Sequence, residues 1–177
     1  DPDLDVDAII DDYCRSGFGP AAGPVKRYFT KIEQLTNETA AFTQESPGTS
    51  RPDVTEPHTQ ETIAELRALL DEADIAARSD ESVRQRIAFL RVGLDFTDLQ
   101  AKIYRLLRRD AEKRLSADER LEVQRLLDEK WFRMRELFQR EHFAVNVSAM
   151  CWGEWGRFRR LGWEGPSQKA AKSVGVD

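Results

Sequence analysis

Trp152, Trp155, Phe158 and Trp163 lie close together near the end of the chain, among Gly153, Gly156, Arg157, Arg159 and Arg160. Exposed rings stack on sugars and nucleobases, and Trp beside Arg is the composition of interface hot spots. The same rings can also plug the base of a helical core. These four are the candidate interface or ligand-stacking residues. Elsewhere the types that do chemistry thin out. There is no Gly-x-Ser-x-Gly, no phosphate loop and no dinucleotide glycine fingerprint. His58 sits in a Pro-rich stretch and His142 follows a charged helix end, and neither has the sequence neighbours of a metal shell. A glycosidase needs a carboxylate pair held roughly 5–9.5 Å apart, and nothing distinguishes Glu141 or Glu154 from surface glutamates. Asp3, Asp5 and Asp7 alternate as in a calcium loop but lack its glycine at the sixth position and glutamate at the twelfth. Helix capping at the positive end of a macrodipole is the simpler reading of these aspartates. Cys14 and Cys151 form either one disulfide closing a long loop or two buried thiols. No catalytic, metal or cofactor residue is assigned, and no cofactor is expected.

The elements that must position these residues follow from composition. The chain has 177 residues, 40% apolar and 33% charged, with only 10 Gly and 7 Pro. Helix-forming Leu, Ala, Glu and Arg are abundant, and the low turn content argues against an all-β domain. No apolar run approaches the ~20 residues of a membrane span. The net charge of −5 is concentrated at the front: residues 1–20 hold six Asp and one Arg, so the remainder sums to zero. Lys102, Arg105, Arg108, Arg109, Lys113 and Arg114 crowd one stretch against Asp110 and Glu112. In an acidic chain this reads as the cationic C-terminal end of a helix rather than a nucleic-acid stripe. Neither nucleic acid nor a membrane is expected as a partner. The opening Asp1-Pro2-Asp3-Leu4 carries no initiator Met or signal segment, and reads as a piece of something longer.

Periodicity predicts an all-α bundle of four to five main helices. Asp5 caps a first helix to about Ser16, with Val6, Ile9, Ile10 and Tyr13 as its apolar face and Gly17 as its stop. Val25, Tyr28, Phe29, Ile32 and Leu35 mark a second helix, completing a hairpin over 1–45. Residues 46–58, rich in Pro and hydroxyls, form a loop. Long helices fill 59–142. One starts at Thr59 with Ile63, Leu66, Leu69, Leu70 and Ala73, and Asp74 can pair with Arg78. A second starts at Ser79, with Val83, Ile87, Leu90, Leu94, Ala101, Tyr104 and Leu107 on one side. Gly93 inside it reads as close helix packing or a bend. Ser116-Ala117-Asp118-Glu119 is a capping box. The helix it opens carries Leu121, Leu126, Leu127, Trp131, Met134, Leu137 and Phe138, with Glu129–Arg133 and Glu136–Arg140 pairs. Phe143–Ser148 alternates like a short strand, 143–163 is the aromatic segment, and 164–177 is a frayed tail. The whole of 1–163 is expected to be one helical domain.

The opening is the most specific stretch: residues 1–14, then Phe18-Gly19-Pro20-Ala21-Ala22 and Lys26-Arg27-Tyr28-Phe29. It resembles the bacterial family known as domain of unknown function 4838. There this pattern follows a barrel similar to those of glycoside hydrolases and opens a C-terminal helical region. The resemblance covers about the first 30 to 45 residues. Many members have Tyr where this chain has Phe18. The family's acid and nucleophile positions would lie upstream, so none maps onto this chain. The resemblance implies a non-catalytic C-terminal helical module supporting or flanking an upstream barrel, in a bacterial periplasmic or secreted protein. The alternative is a free-standing helical protein-interaction or dimerisation module, with a homodimer among its partners.

With no acid–nucleophile pair assigned, the purified chain is expected to leave activated aryl glycosides intact. Turnover abolished by changing one of the chain's own carboxylates would contradict that.

Overall fold

The computed structural model describes residues 5–45, 57–111 and 115–141, together with Trp163. These residues are all-α, as periodicity predicts: α1 (Val6–Phe18), a 3-10 turn (Gly19–Ala21), α2 (Ala22–Glu45), α3 (Gln60–Ala76), α4 (Glu81–Ala111) and α5 (Ala117–Glu141). The expected strand at Phe143–Ser148, most of the Pro-rich loop and the tail lie outside the described residues. The chain divides into two compact units, residues 1–101 and 102–177.

The first unit is built on a sharp corner. Asp5 caps α1, its carboxylate accepting from the Ala8 amide at 3.1 Å. The helix stops at Gly19 rather than Gly17. Gly19 alone among the described glycines has positive φ, at 46°, and its amide closes the last turn on the Arg15 carbonyl. The extension has a cause: Phe18, 3% exposed, belongs to the core and stays on the helix to reach it. Pro20 then sits in the opening of the 3-10 turn, where a missing amide hydrogen costs nothing. Around the corner, Tyr13, Phe18, Phe29 and Tyr28 form a chain of tilted rings with centroids 5.7–6.4 Å apart, an arrangement that aromatic quadrupoles favour.

Cys14 and Phe18 of α1, Val25, Tyr28 and Leu35 of α2, Ile63, Leu66, Leu70 and Ala73 of α3, and Val83, Ile87 and Leu94 of α4 make one continuous core. Full burial of each large aliphatic side chain contributes ~1.5–3 kcal/mol. Ion pairs at the rim align the helices. Arg27 meets Glu72 at 2.5 Å, Lys31 meets Glu65 at 2.7 Å, and Arg67 reaches Asp95 and Asp98 at 2.7 and 3.1 Å. Such half-exposed pairs add only ~0–1 kcal/mol each, so the apolar seam outweighs them.

Local caps set the boundaries. Thr59 accepts from the Thr62 amide at 3.2 Å and starts α3 as expected. The start of α4 falls to Asp80, not Ser79, because the Asp80 carboxylate takes the Val83 amide at 3.1 Å. Asp74 pairs with Arg84 at 3.3 Å, across the turn, instead of with Arg78. Gly93 does not mark close packing among the described residues: a Cβ there would meet none of their atoms within 4 Å.

In the second unit, Ile103, Tyr104 and Leu107 on the end of α4 are buried, as are Val123, Leu126, Leu127 and Met134 on α5. Leu121 and Phe138, two of the apolar residues α5 carries, are 70% and 51% exposed. The capping box is present in full. The Ser116 amide donates to Glu119 Oε2 at 2.9 Å and the Glu119 amide donates to Ser116 Oγ at 3.3 Å. Arg109 also grips the Glu119 carboxylate. Glu129 and Arg133 pair at 2.8 Å, as their spacing predicts.

Ser116→Ala should therefore lower stability by about 1 kcal/mol, read from the denaturant midpoint. The Ser116 amide, then its hydroxyl and Arg109, hold the Glu119 carboxyl below its ordinary range against slight desolvation. A lowered carboxylate contributes stability that is complete above its unfolded value and is lost as pH falls through the folded one. Glu119→Gln, which keeps an acceptor but does not titrate, should lose less stability than the native chain on acidification. Equal losses would show that the charge is irrelevant.

Candidate functional site

An α-helix turns 100° per residue, so α1 separates its side chains into strips. Cys14 and Phe18 face the core, with Ile10 packed at its edge. Val6, Ile9 and Tyr13, expected as core residues, form a neighbouring strip that is 64%, 49% and 57% exposed. The roll of the helix decides this. Phe18 fixes one end, and Lys26 of α2 clamps Asp11 on the inner side. Large apolar side chains at i, i+3 and i+7 that the fold leaves in water form a docking stripe of the helix-in-groove type. Helical geometry places Asp5 and Asp12 along its solvent edge, and both are exposed.

The other sequence candidates separate clearly. Trp152, Trp155 and Phe158 lie outside the described residues, as do Cys151, His142 and Glu154. Trp163 is half-buried, and its indole N–H is buried with no hydrogen-bond partner among the described residues. Of the four candidate rings, Trp163 alone is among the described residues. Asp5 is occupied as a cap, and among the described residues no three His, Cys, Asp or Glu side chains gather as metal ligands. In the basic stretch at the end of α4, Arg109 is engaged with Glu119, and Lys102 lies within electrostatic reach of Glu122. This fits a solvated helix end. No helix of the described residues is long and apolar enough to cross a membrane.

A groove of about 570 Å³ runs between α2 and α3, lined by Lys26, Arg27, Lys31, Glu65 and Glu72 among others. Its cations are committed to Asp11, Glu72 and Glu65. Its described lining holds the Thr30 hydroxyl but no Ser, Cys or His, so it presents no nucleophile–base pair.

A second exposed apolar strip escaped the sequence reading. On α4, Phe89 and Val92 are 41% and 42% exposed. The signal was available: Phe89, Val92, Phe96, Leu99, Ile103 and Leu106 repeat at spacings of three and four along the face opposite Val83, Ile87, Leu90 and Leu94, although Leu99 and Ile103 on it are buried.

Comparison of the chain with protein-family models, with curated proteins and with solved structures finds no match.

Cys14 is a free thiol, 1% exposed, while Cys151 lies outside the described residues. Burial raises its pKa, the Asp11 carboxylate adds to the rise, and Lys26 partly offsets it. Peptide mapping after alkylation at mildly alkaline pH should find Cys14 unlabelled in the folded chain and labelled in denaturant. Equal rates in both would contradict this burial.

Proposed function

We propose that this chain is a non-catalytic helical module that docks on a larger folded partner through α1. The setting is the one its opening residues resemble: the C-terminal helical part of a glycoside-hydrolase-like bacterial protein, periplasmic or secreted, buttressing or flanking an upstream barrel. The observation supporting this is the exposed strip of Val6, Ile9 and Tyr13, which lies within the residues that carry the resemblance. A structural support needs an apolar contact face held on a rigid element. Here α1 is pinned by Phe18, by the Gly19 corner and by Lys26 on Asp11.

The same strip favours a second reading, a free-standing helical protein-interaction module, since it would serve a separate partner as well as a linked one. In either case Trp152, Trp155, Phe158 and Trp163 form a further contact region with Arg157, Arg159 and Arg160.

Hydrogen exchange tests the linked reading. In a longer protein that includes the preceding barrel, amides 6–13 should be more protected than in the isolated chain. Ile9→Asp should erase that extra protection while leaving the isolated chain's unfolding midpoint nearly unchanged, because Ile9 is half exposed. Unchanged exchange of α1 in the longer protein would overturn the linked-barrel reading.

A further inference from the structure

We propose that the partner of α1 is a protein surface with lysine or arginine side chains around an apolar hollow, an inference that rests on the reading of α1 as the docking face. Val6 and Ile9 of the strip are exposed. Tyr13 packs one side of its ring on Phe18 and Phe29, with centroids 6.0 and 6.1 Å away, yet keeps more than half of its surface in water. Ile9 follows Asp5 by four residues and precedes Asp12 by three, so a carboxylate lies one turn away on either side of it. Both aspartates are exposed.

Asp12 is the carboxylate of α1 to which the fold gives no task. Asp5 caps the helix, Asp7 sits in the first turn where the macrodipole favours it, and Asp11 is held by Lys26. Asp12 lies in the middle of the helix, beyond the reach of that positive end, and it makes no hydrogen bond or ion pair with any described residue, Arg15 included. Its surroundings add to its sign. Glu33, one turn beyond Phe29 on α2, is exposed and also unpaired among the described residues. The nearby cations are turned away or occupied. Arg15 is nine residues from Val6, half a turn round the helix, Lys26 holds Asp11, and Arg86 donates to the Gly17 carbonyl. Residues 1–14 hold six Asp and no Lys or Arg. An apolar contact edged by one sign of charge selects a partner edged by the other. The same edge turns away nucleic acid, anionic bilayers and a second copy of itself.

An NMR titration of the full chain with two amphipathic helical peptides tests this, the two sharing one leucine face but rimmed by lysine in one and by glutamate in the other. The lysine peptide should shift the Val6 and Ile9 methyl and Tyr13 ring signals and bind roughly fivefold or more tightly than the glutamate peptide. That preference should shrink as ionic strength rises from roughly 20 to 300 mM. Asp12→Asn should reduce it and Asp12→Lys should reverse it, both with the thermal midpoint nearly unchanged. Glu136→Lys, the same charge change at an exposed residue of the second unit, should leave it intact. Equal binding of the two peptides at α1 would overturn the cationic partner while leaving α1 a docking face. A preference altered as much by Glu136→Lys as by Asp12→Lys would reduce it to net charge and overturn it too. No shift at Val6, Ile9 or Tyr13 with either peptide would overturn both the cationic partner and the docking face.

Discussion

The turn at Phe18-Gly19-Pro20 constrains everything that the first unit presents to its surroundings. Gly19 holds φ 46° and ψ −115°, a region that a side chain strongly disfavours. Its conformation lets α1 run far enough to bury Phe18 and still fold back against α2. Burying Phe18 is worth ~1.5–3 kcal/mol, more than any single rim ion pair supplies. With Phe18 and Cys14 directed inward, the 100° step of the helix leaves Val6, Ile9 and Tyr13 outward. The proposed docking face of α1 is thus a geometric consequence of where one phenyl ring must go.

Much of this architecture was legible in the residues. Helix spacing located all five α-helices, and Asp5, Thr59 and the Ser116–Glu119 box each act as the caps their types predict. Boundaries were less legible because two competing signals stood side by side. Gly17 and Gly19 are both plausible stops, and only the pull of Phe18 into the core selects the second. Ser79 and Asp80 are both plausible caps, and the carboxylate of Asp80 captured the amide. The roll of α1 was not legible at all, because Val6, Ile9, Ile10 and Tyr13 are a good apolar face locally. Tertiary contacts at Cys14, Phe18 and Lys26 chose the adjacent one.

The same limit explains α4. A 31-residue helix carries apolar residues on two opposite sides, and a search for one periodic face finds the first and stops. Val83, Ile87, Leu90 and Leu94 pack into the first unit's core, while Phe89 and Val92 stay in water. Gly93 is informative only in three dimensions. A sequence cannot say whether a helical glycine has a neighbour where its Cβ would be, and among the described residues this one has none.

The first unit exposes apolar side chains on two helices, Val6, Ile9 and Tyr13 on α1 and Phe89 and Val92 on α4. Carboxylates along α1 penalise another acidic surface and reward a cationic one. The two faces are also mechanically joined. Arg86, at the rim of the α4 strip, donates to the Gly17 carbonyl in the last turn of α1. The Arg67 contacts to Asp95 and Asp98 tie the middle of α4 to α3. These polar ties hold the exposed residues of α1 and α4 in fixed relation on the first unit's core.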